Sequence, residues 1–143
     1  MPYITRDLEK VVLSVTQEYP VVIVTGPRQV GKTTMLEKLR EGTSRNYVSL
    51  DDLTERTRAQ TDPQMFFQLH KPPILIDEVQ YAPQLFIYIK IMVDQSHRAG
   101  DFWLTGSQAF KLMTLAGESL AGRACVLHLN GLSQKELYGS GEN

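Results

Sequence analysis

The sequence predicts an α/β protein, a three-layer α/β/α sandwich whose mainly parallel sheet has five strands. Two observations support this fold class. Short apolar segments rich in β-branched residues alternate along the chain with segments of helical length, which is the pattern of right-handed β-α-β crossovers. The first such segment, Val-Val-Ile-Val-Thr at residues 21–25, is continuous and β-branched, as expected of a strand buried on both faces of a parallel sheet. The length of 143 residues suits one domain.

The composition argues against several classes of protein. Hydrophobic residues make up 42% and charged residues 22% of the chain, which is typical of a globular protein. The 15 Lys and Arg residues nearly balance the 16 Asp and Glu residues, so nucleic-acid binding is not indicated, although a local basic patch stays open. Cys125 is the single cysteine, so no disulfide is expected within the chain. Without a signal segment or a membrane-length apolar stretch, the sequence predicts a cytoplasmic protein with no membrane partner.

The elements of the first half follow from local patterns. Apolar residues at helical spacing predict a helix over residues 4–18, before the first strand at 21–25. Residues 32–40 are expected to form a helix that ends at Gly42, because glycine readily adopts the left-handed conformation at a helix end. Residues 46–52 are a candidate second strand.

In the second half, residues 62–70 are expected to form a helix with Asp62 as its N-cap and Pro63 in its first turn. A longer helix with one apolar face is predicted from Pro83 to near Gly100. The three remaining strands are predicted at residues 73–79, 101–107 and 124–130. A helical or irregular segment is expected between the last two of these strands.

A phosphate-binding loop is predicted directly after the first strand. Residues 26–34 read Gly-Pro-Arg-Gln-Val-Gly-Lys-Thr-Thr and match the pattern G-x-x-x-x-G-K-S/T. Backbone N–H groups of such a loop, and of the helix that follows it, converge on phosphate oxygens. Lys32 is expected at the β- and γ-phosphates and the Thr33 hydroxyl at Mg2+. The residues predicted to bind the nucleotide are Gly26, Pro27, Arg28, Gln29, Val30, Gly31, Lys32, Thr33 and Thr34.

The alternative for this segment is an ordinary glycine-containing turn with a solvated lysine. The position of the motif, between a buried strand and a helix, disfavours this alternative. Arg28 lies inside the loop, and its side chain is expected to contact phosphate, a partner or solvent.

Two adjacent acids end the strand Ile-Leu-Ile-Asp, residues 74–77. Parallel sheets bind their ligands beyond the carboxyl ends of the strands, so Asp77 is predicted to help hold Mg2+. Glu78 follows directly and is predicted to polarise a water for in-line attack on the γ-phosphate. The alternative is that both acids are solvated residues at a strand end.

The segment Trp-Leu-Thr-Gly-Ser-Gln, residues 103–108, ends another strand in polar groups. Ser107 and Gln108 are the candidates to contact the γ-phosphate or orient the water, and Thr105 ranks below them. An equally supported alternative makes Ser107 the N-cap of a following helix.

Arg123 is a candidate for stabilising the charge that spreads over the phosphoryl oxygens, either in its own chain or donated to a neighbouring subunit. The alternative is a surface arginine or one held in an ion pair.

Four stretches taken together resemble a known family. They are the phosphate loop, Ile-Leu-Ile-Asp-Glu-Val-Gln, Leu-Thr-Gly-Ser-Gln and Leu-Ala-Gly-Arg, in this order. They resemble the AAA-type ATPase domain of a group of bacterial and archaeal P-loop proteins that usually carry a C-terminal domain of unknown function. The resemblance covers about residues 3–137, and the domain is therefore predicted at 1–137, with a polar, disordered tail at 138–143. Such proteins are typically longer, so the chain is expected to be the N-terminal ATPase core.

The resemblance implies the strand order 5-1-4-3-2. It also implies Lys32 and Thr33 at phosphate and Mg2+, and Asp77 at Mg2+. Further implied roles are Glu78 as the catalytic base, Ser107 in the sensor strand, and Arg123 as an arginine sensor or finger. The implied ligands are ATP or ADP and Mg2+.

The leading hypothesis is a Mg2+-dependent ATPase module that drives conformational change in an attached domain or partner. One alternative is a nucleotide-binding switch or interaction module with little hydrolysis. A P-loop kinase is a weaker alternative, because no lid with clustered arginines is evident. Assembly into a homo-oligomer is left open.

Overall fold

Five parallel strands form the central sheet of the computed structural model, which describes residues 2–27 and 32–129, with side chains from residue 8 onward. Each strand pairs with its neighbours in parallel. The strands are β1 (Val21–Thr25), β2 (Asn46–Ser49), β3 (Ile74–Asp77), β4 (Phe102–Gly106) and β5 (Ala124–His128). Their order across the sheet is β2-β3-β4-β1-β5, which is 5-1-4-3-2 read from the other edge. The predicted fold class and strand order are confirmed.

Six α-helices are described between and before these strands. They are α1 (Pro2–Val15), α2 (Lys32–Arg40), α3 (Leu53–Thr61), α4 (Pro63–Leu69), α5 (Leu85–Ser96) and α6 (Ala109–Ser119). A 3-10 turn, Val79–Tyr81, follows β3. Within residues 2–27 and 32–129, every helix is too short or too polar to cross a lipid bilayer.

The sheet divides the core into two layers. The side chains of β1 show this, because they alternate between the two faces of the sheet. Val21 and Ile23 belong to a cluster that contains residues of α3, α4, α5 and α6. Val22 and Val24 belong to a second cluster with residues of α1 and α2. All five residues of β1 are buried, so the predicted double-sided burial is correct.

Helix α3 is the largest departure from the sequence prediction, which assigned residues 46–52 to a strand and no element to 53–61. Strand β2 ends at Ser49, and Asp52 is the N-cap of α3, accepting hydrogen bonds from the N–H groups of Thr54 and Glu55. Ala59 is the buried residue of this helix. With a single small residue facing the core, the sequence lacks the apolar periodicity that identifies a helix.

The other differences concern element ends. Helix α1 ends at Val15 rather than at residue 18, because the Gln17 and Glu18 N–H groups bond to carbonyls three residues back. Helix α5 ends before His97, whose left-handed conformation (φ 56) terminates it ahead of Gly100. Asp62 caps α4 as predicted, accepting from the Met65 N–H. Residues 130–143, including the predicted tail, lie outside the described residues.

Candidate nucleotide-binding site

The candidate site lies at the carboxyl edge of the sheet, where the neighbouring strands β1, β4 and β3 end. The last residue of β1, Thr25, is aligned with Gly106, the last residue of β4. Asp77 is the last residue of β3, and α2 begins at Lys32. In an open parallel sheet this edge is the usual place for a ligand.

The carboxylate of Asp77 is held by hydroxyl groups from three different elements. The Thr33 hydroxyl of α2 donates to Oδ1 at 2.8 Å, and the Thr105 hydroxyl of β4 donates to the same oxygen. The Ser49 hydroxyl of β2 donates to Oδ2 at 3.2 Å. Asp77 is 7% exposed, and these donors fix its orientation while offsetting the cost of its burial.

Glu78 is buried beside Asp77, and its two carboxylate oxygens have different partners. Oε1 accepts from Gln80 Nε2 at 2.7 Å and from the Ser107 hydroxyl at 3.1 Å. Oε2 lies 3.7 Å from Lys32 Nζ. The backbone of Glu78 is left-handed, with φ 57 and ψ 48, a strained conformation for a residue with a Cβ. Such strain is concentrated at functional sites.

Thr105 links the two acids. Its hydroxyl donates to the carboxylate of Asp77 and accepts from the backbone N–H of Glu78 at 3.2 Å. The hydroxyl thereby uses both its donor and its acceptor capacity in a buried place. Sequence reasoning ranked Thr105 below Ser107 and Gln108, yet the Gln108 side chain is exposed.

Lys32 supplies a buried cation to the described part of the site. Its side chain is 1% exposed, and Nζ lies 3.4 Å from the carbonyl oxygen of Pro27 as well as 3.7 Å from Glu78. A buried ammonium needs such compensation, because desolvation of a charge is costly. The first residue of α2 therefore presents positive charge at the edge of the sheet where the two acids lie.

The oxygen donors at this edge suit a hard divalent cation. Thr33 and Asp77 supply a hydroxyl and a carboxylate, the ligand types that Mg2+ prefers. One carboxylate oxygen from each of Asp51, Asp77 and Glu78 also lies within 4.8 Å of the others. The residues present thus fit the metal that the phosphate-loop motif implies.

The sequence also matches a known family of protein domains. The family described as AAA domain matches residues 18–138, which is most of the chain. The chain belongs to the AAA domain family.

A curated relative of this AAA domain is the uncharacterized protein Rv2008c of Mycobacterium tuberculosis. It is 35% identical over 121 residues, which is 85% of this chain and 27% of that protein. The chain therefore spans about a quarter of the relative's length.

Two solved structures share the fold of this AAA domain. The P-loop NTPase domain of the sigma-54 transport activator from E. coli aligns with a TM-score of 0.56 at 12% identity, over 85% of this chain and 92% of that one. The Walker-type ATPase PABY2304 of Pyrococcus abyssi aligns with a TM-score of 0.58 at 17% identity, over 97% of this chain and 56% of that one. At these identities, the likeness is one of fold.

Arg123 is not brought to the site within this AAA domain. It directly precedes β5, and its carbonyl accepts from the N–H of Val21 at the start of β1. This is the amino edge of the sheet, opposite the site. Its guanidinium forms two hydrogen bonds to Asp94, at 2.7 Å and 3.0 Å, and the hydrogen bond lowers the pKa of Asp94. Arg123 is thus held in an ion pair, which was the alternative considered for it from the sequence.

Ser107 and the loop residues are the remaining members of the predicted site. Ser107 does not cap α6, whose N-cap is Gln108, and its hydroxyl contacts Glu78 instead. Gly26 and Pro27 lie at the edge and Thr34 is exposed. The remaining predicted loop residues, Arg28, Gln29, Val30 and Gly31, lie outside the described residues.

Three residues at the site were missed by sequence reasoning, namely Ser49, Asp51 and Gln80. Ser49 and Asp51 stand at the carboxyl end of β2, and β2 pairs with β3 so that Ser49 is aligned with Asp77. Ser49 and Asp51 could have been found by treating the polar residues at the end of every predicted parallel strand as site candidates. Gln80 depends on the turn after β3, which no local pattern indicates.

Proposed function

We propose that this chain binds and hydrolyses ATP with Mg2+, and that hydrolysis drives conformational change in an attached domain or partner. The observation that carries the proposal is the convergence of one buried cation and two buried acids at one edge of a parallel sheet. Lys32, Asp77 and Glu78 are 1%, 7% and 2% exposed. Burial of three charges is costly even when they are paired. A lysine, a metal-binding acid and a second acid are the groups that phosphoryl transfer to water requires, which is why we assign them that role.

Binding of the triphosphate falls to the phosphate loop and the start of α2. The Lys32 ammonium is suited to the β- and γ-phosphates, and the first N–H groups of α2 add the positive end of the helix dipole. Residues 26–34, including Arg28, Gln29, Val30 and Gly31, would form the loop around the phosphates.

The Thr33 hydroxyl and the Asp77 carboxylate would hold Mg2+. When bound, this ion neutralises negative charge on the phosphate oxygens. The hydroxyls of Thr105 and Ser49 keep the Asp77 carboxylate in one orientation, so its oxygens need no rearrangement to act as ligands.

Glu78 is the proposed base. As the water oxygen bonds to the γ-phosphorus, the bond from that phosphorus to the ADP oxygen breaks and the carboxylate takes the proton of the water. The products are ADP and inorganic phosphate. Ser107 donates to one oxygen of Glu78, which leaves the other on the side of Lys32. Arg123 takes no part in this step within its own chain. It could act on this step only from a neighbouring subunit.

The attached domain is suggested by the relative from M. tuberculosis, of which this chain matches 27%. A domain fused to the ATPase core would sense the change in charge at the carboxyl edge when the γ-phosphate leaves.

The test is phosphate release from ATP by the parent chain. We expect inorganic phosphate and ADP to form in equal amounts, with Mg2+ present and not after its removal with EDTA. Binding of ATP without phosphate release would contradict hydrolysis and favour a nucleotide-binding switch. ADP formation that requires an added acceptor, without matching phosphate, would indicate a kinase.

A further inference from the structure

Gln80 is a buried amide beside the proposed base, and the proposed function leaves it without a task. Its side chain is 0% exposed, and Nε2 donates to Glu78 Oε1 at 2.7 Å. The left-handed backbone of Glu78 starts the 3-10 turn Val79–Tyr81. This turn folds residue 80 back toward residue 78, so the contact depends on the strained conformation of Glu78.

The orientation of the Gln80 amide follows from its surroundings. Oε1 of Gln80 is buried and has no hydrogen-bond partner in the described part of the chain. The reversed amide would set its carbonyl oxygen against a carboxylate oxygen, and two acceptors repel. The N–H group must therefore face Glu78, even though a buried carbonyl without a partner is destabilising. An apolar side chain would avoid this cost, so the amide contributes chiefly its donor to Glu78.

Gly106 confines the amide. A Cβ at position 106 would lie 2.2 Å from Gln80 Oε1 and 2.4 Å from a methyl carbon of Leu112. The backbone of β4 thus forms one wall against which the carbonyl end of Gln80 rests. The amide therefore has no room to move toward Gly106 without displacing β4.

We propose that Gln80 is a positioning residue for Glu78. Together with Ser107, it holds Oε1, so that Oε2 is the oxygen that orients the attacking water. The inference rests on the proposed ATPase function, and it assigns the last residue of Asp-Glu-Val-Gln to catalysis through Glu78. Hydrogen-bond partners that orient metal-ligating side chains commonly change activity by about 10- to 100-fold, and we expect an effect of that order for Glu78.

The test replaces Gln80 with methionine, which keeps an unbranched chain of similar length and removes the donor. We expect kcat for Mg-ATP hydrolysis to fall about 10-fold or more, with KM within about twofold of the parent. Gln68→Met, the same change on the exposed side of α4, is the matched control and should leave both constants unchanged.

A double-mutant cycle shows whether Gln80 acts through Glu78. In a Glu78→Gln background, Gln80→Met should cause no further fall in the residual rate, because the group that it positions is already disabled. An equal fall in both backgrounds would overturn the positioning role, as would an unchanged kcat in the single variant. If the parent itself releases no phosphate, the proposed function fails and this role fails with it.

A second variant keeps the test decisive if Gln80→Met does not fold. If Gln80→Met loses cooperative thermal unfolding, Gln80→Glu keeps the length and one oxygen but places a carboxylate opposite Glu78. The same fall in kcat is then expected, together with a higher KM, because the added negative charge lies near the phosphates. A Gln80→Glu variant as active as the parent would contradict the proposal.

Discussion

Lys32→Ala is expected to abolish detectable binding of ATP. The ammonium is the buried cation described at the carboxyl edge, and its present contacts are the Pro27 carbonyl and Glu78. Without it, the negative phosphates would meet Asp77 and Glu78 with no compensating charge from this position. Loss of a charged contact of this kind costs about 2–5 kcal/mol, so calorimetry should show Kd weaker by about 30-fold to several thousand-fold.

Lys38→Ala is the matched control for this experiment. Lys38 lies on the same helix, α2, and is exposed, so its removal should leave Kd for ATP unchanged. Because Lys32 also neutralises Glu78, thermal unfolding of Lys32→Ala should be recorded beside the titration. Undiminished ATP binding by a folded Lys32→Ala variant would refute the phosphate-loop assignment.

Glu78→Gln is expected to keep Mg-ATP binding and to lose hydrolysis. The amide has the size of the carboxylate but cannot take a proton from water. General-base catalysis contributes about 100- to 10,000-fold to a rate, so phosphate release at saturating ATP should fall by that order. Kd for Mg-ATP should not weaken, because the change removes a negative charge from the neighbourhood of the phosphates.

The control for this substitution is Glu118→Gln, on the exposed surface of α6. It should hydrolyse ATP at the parent rate. If Glu78→Gln releases phosphate as fast as the parent, Glu78 is not the base, and the proton must go elsewhere.

The sequence was sufficient for the fold wherever burial leaves a continuous apolar pattern. β1 and β3 have every residue buried, and such strands are recognised by their unbroken apolar runs. α3 was not recognised, because Ala59 is the one residue of this helix that is fully buried. Its stability depends on the Asp52 cap and on packing against α4, which are features of tertiary structure rather than of local periodicity.

Site residues at the ends of strands and helices could be predicted from the sequence. Residues whose contacts depend on how neighbouring strands are aligned were harder to predict. Lys32, Thr33, Asp77 and Glu78 follow from the motif and from the end of an apolar strand. Thr105 was ranked too low because its contact depends on how β4 aligns with β3. Ile76 is aligned with Leu104, so the next residue on each strand, Asp77 and Thr105, stand side by side.

The position of Arg123 at the amino edge of the sheet could have been predicted from the sequence. The residue immediately precedes the predicted strand 124–130, and the residue before a parallel strand lies at the amino edge of its sheet. Gln80 was not predictable in this way. Its contact requires Glu78 to adopt a positive φ, which the residue type does not favour.

We propose that the carboxyl edge around Lys32, Thr33, Asp77 and Glu78 binds Mg-ATP for hydrolysis. The most direct measurement is a crystal structure of the chain with Mg2+ and a non-hydrolysable ATP analogue. We predict the γ-phosphate beside Lys32, the metal ion in contact with Thr33 and Asp77, and a water between Glu78 and the γ-phosphorus. A nucleotide bound elsewhere, or a metal ion that contacts neither Thr33 nor Asp77, would contradict the account.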